Sequence, residues 1–196
     1  ALNGRQFLFH GVDGVENQLS HWTRIGYLTG ATHDPREVAR IPIWDDPATG
    51  TVVDRARAYL SMNCSSCHRP QGLAATSGLD LKYDQSTPVR FGIFKAPVAA
   101  GRSVGNGRFD IEPGHPEHSI LVHRLRSTDP GMRMPIVGRG ITHDEGIALI
   151  EEWIATIDFP EMAAEQAAAD RRHDAIRGPD VDEGLEALDQ LEDQQH

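Results

Sequence analysis

The two cysteines of this 196-residue chain lie three positions apart and are followed at once by a histidine, in the run Cys64-Ser65-Ser66-Cys67-His68. A Cys-x-x-Cys-His run is the attachment pattern of c-type haem. The two thiols add to the two vinyl groups on one edge of the porphyrin, and the adjoining histidine is then placed at the iron as its proximal ligand. The motif therefore predicts one covalent haem, bound by Cys64, Cys67 and His68, with His68 as an iron ligand.

Three other uses of the two cysteines compete with haem attachment. A structural zinc site needs four ligands, and only three are local here. A thioredoxin-like redox pair needs a βαβ context, which the flanking residues do not offer. A plain disulfide also stays open as an alternative. The motif favours haem over all three.

Composition and charge exclude several classes of protein. The chain is 39% hydrophobic and 24% charged, with 19 Gly and 12 Pro, which is typical of a soluble domain rich in loops. No apolar run reaches the roughly 18 residues that a membrane span needs. The net charge of −10 argues against nucleic-acid binding, whereas a net basic middle section suits an anionic group. Ala1 is not preceded by a basic and apolar leader, so we expect either a removed signal peptide or none.

The N-terminal third predicts a helix followed by an extended strap. Apolar residues recur at helical spacing over residues 14–25, and Gly26 would end that helix. Residues 29–53 contain three prolines, so they are predicted to form a strap that carries Ile41, Ile43 and Trp44 against the core.

The middle of the chain predicts a helix that runs into the haem motif. It begins at Asp54 as N-cap and reaches the first cysteine, which places the motif at the C-terminal end of a helix. Residues 69–114 are predicted to form an irregular loop on the porphyrin, with strand-like pieces at 79–83 and 108–111.

Two further helices are predicted before the tail. A short helix begins near Pro116 and ends before Asp129. A capping box at residues 142–145 opens the most distinct helix, whose apolar face consists of Ile147, Ile150, Trp153, Ile154 and Ile157. Beyond Pro160 the chain is alanine-rich and acidic, and a weak helix is predicted at about 181–191. The tail as a whole is predicted to be either helical or partly disordered.

The region from about residue 54 to 158 resembles a class I monohaem c-type cytochrome domain. The resemblance rests on the helix before the motif, on a methionine followed by proline, and on the final amphipathic helix. The runs at 77–81, 113–121 and 133–135 are similar to the cytochrome domain at the C-terminus of larger exported bacterial proteins. The resemblance implies a mainly α fold around covalent haem, with an N-terminal part (1–53), a cytochrome domain (54–158) and an acidic tail (159–196).

The resemblance also implies a methionine as the second axial ligand of iron. Met134 is the favoured residue because it precedes proline in a tight turn, and Met132 is its competitor. Met62 and Met162 are interpreted as packing or surface residues. A histidine or an open site remains an alternative, since axial ligands vary among haem proteins. The histidines in the same stretch are His115, His118, His123 and His143.

Arginines of the basic middle section are candidates for pairing with the two haem propionates. A guanidinium forms a bidentate pair with a carboxylate. The candidates are Arg69, Arg90, Arg102 and Arg108.

These observations predict an electron carrier, not an enzyme, exported to the periplasm or beyond. Its partners would be redox proteins, with the acidic tail as a possible attachment to a larger complex. Two alternatives stay open at this point. One is a haem enzyme or gas sensor with a displaceable sixth ligand, and the other is a structural electron-relay subunit.

Overall fold

The computed structural model describes residues 8–11, 14–30, 38, 40–99 and 101–160. Within them lie strands β1 (Leu8–Gly11) and β2 (Gly14–Asn17) and helices α1 (Gln18–Arg24), α2 (Val52–Asn63), α3 (Pro88–Phe91), α4 (Ile120–Arg126) and α5 (Asp144–Thr156). Short 3-10 helices cover Pro47–Thr49, Ala75–Ser77, Arg102–Val104 and Pro116–His118. The prediction of a mainly α fold is confirmed.

The chain divides into two compact units, Ala1–Ile157 and Asp158–His196. All of the helices and strands named above belong to the first unit. The predicted tail helix at 181–191, Met162 and most of the acidic tail fall outside the described residues.

The predicted helix over 14–25 is wrong in its first turn. Residues Gly14–Asn17 form β2, which pairs antiparallel with β1. Helix α1 begins only at Gln18 because the Asn17 carbonyl oxygen Oδ1 accepts hydrogen bonds from the amides of Leu19 and Ser20. Gly26, with φ of 75°, follows the helix end as predicted.

Helix α2 begins earlier than predicted. Thr51 is its N-cap, and its Oγ1 accepts a hydrogen bond from the Asp54 amide at 3.2 Å, while the Asp54 carboxylate accepts one from the Thr51 amide at 3.1 Å. The prediction of Asp54 as N-cap is wrong because Asp54 is the third residue of the helix and closes the reciprocal capping box with Thr51. The helix ends at Asn63, and Cys64 is its C-cap, so the haem motif does follow a helix end.

Helix α5 packs against α2 through a glycine. A Cβ atom on Gly146 would lie 2.5 Å from the Tyr59 ring and hydroxyl, so only glycine permits this approach. The predicted capping box at residues 142–145 does not form. His143 is the N-cap without a side-chain cap bond, because its Nδ1 lies instead 2.9 Å from the Tyr59 hydroxyl.

The core lies between α2, α4, α5 and the loops that they enclose. Trp153 of α5 meets Phe91 of α3 edge to face, with ring centroids 5.8 Å apart. Burial of these apolar side chains supplies most of the driving force for folding. The fully buried side chains include Leu60, Phe91, Ile111, Ile147, Ile150 and Ile154.

The described residues of the segment 69–114 are largely irregular, as predicted, apart from α3 and two short 3-10 helices. The two strand-like pieces do not form strands. Residues 79–83 have no strand, whereas the piece at 108–111 takes part only in isolated bridges, Ile93 with Ile111 and Phe109 with Ser119. Neither segment has a neighbouring strand long enough to extend a ladder.

Among the described residues of the strap, Trp44 contacts aromatic side chains of the core. The Trp44 ring lies 5.8 Å from that of Tyr59 and 4.7 Å from that of His143. Ile43 is 39% exposed and does not pack as predicted. Within the described part of the chain, every helix is too short or too polar to cross a bilayer.

Candidate cofactor site

The two motif cysteines are brought together by a single turn that continues from α2. The amides of Cys67 and His68 both donate to the Cys64 carbonyl, at 3.1 and 2.9 Å. The next loop then folds back onto the motif, where a Cβ on Gly72 would lie 2.1 Å from the Cys67 carbonyl oxygen. This close approach requires glycine, so the loop and the motif form one compact unit.

Both motif cysteines are free thiols in the structure. Burial, and secondarily the neighbouring Cys67, raises the pKa of the Cys64 thiol to about 12. A zinc-like metal cluster needs at least three converging ligand atoms from His, Cys, Asp or Glu. Among the described residues, one such group is found, and it lies away from the motif at residues 115–118. The motif residues therefore do not form a zinc-like cluster, which argues against the zinc alternative.

The orientation of the His68 ring is set by Ser77. The Ser77 hydroxyl donates to the Ala74 carbonyl at 2.7 Å, so it faces the His68 Nδ1, 3.0 Å away, as an acceptor. The proton of the imidazole therefore lies on Nδ1, and Nε2 keeps its lone pair. Metal-ligating histidines generally have this arrangement.

The surroundings of His68 favour its neutral form. Burial lowers the pKa of its imidazole, and the positive charge of Arg124 lowers it further. A neutral imidazole is the form that binds a metal ion.

Two adjoining cavities of about 290 Å³ each meet beside the motif. The first, the His68 cavity, is lined by His68, Ser77 and Arg124 among others. The second, the Tyr59 cavity, is lined by Tyr59, Arg139 and His143 among others. Three residues line both: Cys64, Leu125 and Met134. Each cavity is close to the lower limit for cofactor sites, and side by side they fall within the usual range.

The structure separates the two candidate methionines. Met134 lines both cavities and lies in the same cavity as His68. Met132 lines neither, and its carbonyl accepts a hydrogen bond from Arg124 Nε at 3.0 Å. Met62 is 69% exposed on α2. Of the methionines in the described residues, Met134 is thus the one that shares a cavity with Cys64 and His68.

Of the four histidines of the same stretch, His143 is the one that lines a cavity. His143 lines the Tyr59 cavity, whereas His115 and His118 are exposed on the loop before α4. The His123 ring lies against Gly105, and its Nε2 is buried without a hydrogen-bond partner.

The four arginines predicted for the propionates do not line either cavity. All four side chains are exposed: Arg69, Arg90, Arg102 and Arg108. Arg108 stacks over the Phe109 ring at 5.5 Å. Two other arginines do line the cavities, Arg124 in the first and Arg139 in the second. The positions of Arg124 and Arg139 depend on how α4 and the 127–140 segment fold. The four predicted arginines lie instead in the basic stretch around and after the motif.

Arg124 is a partly buried cation, and among the described residues no carboxylate forms an ion pair with it. Burial lowers its pKa, and the nearest compensating charge is Asp110. That carboxylate is already engaged by Lys95 at 2.8 Å, and the pair is largely shielded from solvent. Arg124 is therefore suited to an anionic group within the His68 cavity.

Helical spacing could have identified Arg124 from the sequence. It lies three residues after Leu121, which also lines the His68 cavity, so both project from the same side of α4. Ser77, Lys95, Asp110 and Arg139 carry no such signal, because they reach the cavities through irregular loops.

The residues present fit a covalently attached haem. Cys64 lies at the junction of the cavities, His68 keeps Nε2 free, and Met134 provides a thioether in the same space. Cys67 is half-buried on the next turn and lines neither cavity. The cavity walls are mainly apolar, and the cationic side chains Arg124 and Arg139 lie among the lining residues.

The chain matches no protein-family model, and no curated protein or solved structure is significantly similar to it.

Proposed function

We propose that the chain is a monohaem c-type cytochrome that transfers one electron at a time. The observation that carries the proposal is the placement of Met134 and His68 in one cavity beside the Cys64 to His68 motif. A covalently held haem supplies an iron that cycles between the ferrous and ferric states.

Each motif residue has a separate role in this proposal. Cys64 and Cys67 bind the cofactor edge as thioethers, which removes the two free thiols. His68 offers Nε2 to the metal because Ser77 holds its Nδ1 proton. Met134, which lines the same cavity as His68, would offer its sulfur as the second ligand.

The surroundings of the cavity favour a comparatively high reduction potential. A neutral thioether ligand stabilises the ferrous state more than a second imidazole would. Apolar walls and the positive charge of Arg124 act in the same direction, because both disfavour the additional positive charge of ferric iron. The Lys95 and Asp110 pair is locally neutral and adds little.

The proposal includes an exported location and redox-protein partners. Haem is attached after export in proteins with this motif, so a precursor with a leader or a larger exported parent chain is expected. Weak redox encounters are steered by charge, and the net charge of −10 favours basic partners.

Visible spectroscopy tests the proposal. The purified protein should show a reduced-minus-oxidised spectrum and a pyridine haemochrome of c-type haem, and carbon monoxide should leave the ferrous spectrum unchanged. Rapid carbon monoxide binding would instead favour the enzyme or gas-sensor alternative, since it requires a displaceable sixth ligand. Absence of any haem spectrum in protein from cells with an attachment system would refute the proposal.

A further inference from the structure

Three metal-ligating side chains converge on the exposed loop before α4, away from both cavities. The Nδ1 atom of His115 lies 3.1 Å from the Glu117 carboxylate oxygen Oε1, and the Nδ1 atom of His118 lies 4.0 Å from the same oxygen. One ligand atom from each of the three lies within 4.8 Å of the others. Each side chain is more than half exposed, so an ion from solvent can reach all three.

The two imidazole rings lie close together and nearly parallel. Their centroids are 5.4 Å apart and their planes are inclined by only 18°. The carboxylate of Glu117 lies next to both rings. Its own backbone amide, and then His115, hold the pKa of this carboxyl below its usual range, so it is charged at neutral pH.

The backbone that carries these ligands is anchored to the core. The Ser119 side chain is buried, and its hydroxyl donates to the His115 carbonyl at 3.0 Å and accepts from the Glu112 amide at 2.9 Å. The Gly114 amide donates to the Ile154 carbonyl of α5 at 2.9 Å. Because the loop is held in place, binding an ion needs to order only three side chains.

The donor set selects the class of ion. Two imidazoles and one carboxylate suit zinc and its neighbours among the divalent transition metals, whereas calcium and magnesium require mainly oxygen ligands. A three-ligand set of this kind leaves a fourth, tetrahedral position for water.

We propose that His115, Glu117 and His118 form a surface site for one divalent transition-metal ion of the zinc type. The site lies outside the residues that line the His68 and Tyr59 cavities. It therefore does not depend on the cytochrome proposal, and either proposal can fail without the other.

Isothermal titration of the purified full chain with Zn²⁺ tests the site. One equivalent should bind with a Kd on the order of 10 µM, and Ca²⁺ and Mg²⁺ should not compete. The single variants His118→Gln and Glu117→Gln should each weaken this binding at least tenfold, and the double variant His115→Gln/His118→Gln should abolish it. Because the three side chains are exposed, the circular dichroism spectrum of each variant should match that of the parent.

His21→Gln is the matched control. His21 also contacts a carboxylate, Glu16, at 2.7 Å, but no third ligand converges there among the described residues. This variant should keep the Zn²⁺ affinity of the parent. Zn²⁺ binding that survives the double variant, that disappears in His21→Gln, or that is weaker than about 100 µM in the parent would overturn the proposal.

Discussion

The imidazole of His68 and the hydroxyl of Ser77 form a hydrogen bond of 3.0 Å in which the ring donates and the hydroxyl accepts. The direction follows from the single Ser77 hydroxyl proton, which is directed at the Ala74 carbonyl. A serine nine positions beyond the motif thus decides which nitrogen of the proposed proximal ligand is free.

Replacing this serine tests its effect on the proposed iron ligand. In Ser77→Ala the Nδ1 proton loses its acceptor, so His68 donates less electron density and the ferric state is less stable. We expect the reduction potential to rise by on the order of 30 mV, which for one electron corresponds to about 0.7 kcal/mol. Redox titration of the holoprotein measures the shift.

Thr76→Ala is the control for the serine variant. Thr76 lines the same cavity without a hydrogen bond to His68, so its removal should leave the potential nearly unchanged. Equal shifts in the two variants would show that cavity polarity matters and the hydrogen bond does not.

The second axial ligand is tested by a pair of methionine variants. Met134→Ala should abolish the near-infrared sulfur-to-iron charge-transfer band, lower the potential by on the order of 100 mV and open the iron to carbon monoxide. Met132→Ala should change none of the three, because the contact of Met132 with Arg124 uses its backbone carbonyl. The reverse pattern would assign the ligand to Met132, and two silent variants would point to a histidine.

The charge of Arg124 is expected to tune the potential. Arg124→Gln removes a partly buried cation at the cavity wall, so the ferric state becomes more stable and the potential should fall by about 50 mV. Arg69→Gln removes an exposed charge that lines neither cavity, and we expect a shift several times smaller. Redox titration at two ionic strengths compares the two variants. A larger shift in Arg69→Gln would support the sequence-based prediction that arginines of the basic middle section pair with the haem propionates.

The contact of α2 with α5 is tested through Gly146. Alanine normally stabilises a helix interior relative to glycine by up to about 1 kcal/mol. Here the added Cβ would lie 2.5 Å from Tyr59, so Gly146→Ala should reduce the free energy of unfolding by about 2 kcal/mol. Chemical denaturation of the holoprotein measures the loss.

A second substitution shows whether Tyr59 causes the loss. In a Tyr59→Leu background, the cost of Gly146→Ala should fall but not vanish, because the Tyr59 ring is gone while His143 Nδ1 would still lie 2.6 Å from the added Cβ. A loss of the same size in both backgrounds would mean that another contact limits the space.

The parts of the protein that the sequence could predict are those with local causes. The Cys64 to His68 motif is recognised from the spacing of its residues alone. The apolar periodicity of α5 predicted the buried face of that helix, including Ile150 and Trp153. Even so, the helix starts were displaced. The cap at Thr51 depends on hydrogen bonds for which the sequence offers several equivalent candidates, and His143 caps α5 without a side-chain hydrogen bond to the helix.

The parts that the sequence could not predict depend on long-range packing. Strand β2 replaces the first helical turn because it pairs with β1, and this pairing has no periodic signal. Ser77 and Arg139 reach the cavities only after the irregular segments have folded. Arg69 is adjacent to the motif in sequence, yet its side chain is exposed.

The central claim is that haem is bound covalently at Cys64 and Cys67. The most direct measurement is the intact mass of the acid-denatured protein, expressed in cells that carry a haem-attachment system. The mass should exceed that of the chain by one haem, and the variant Cys64→Ala/Cys67→Ala should lack this increment. Recovery of the unmodified chain mass from such cells would contradict it.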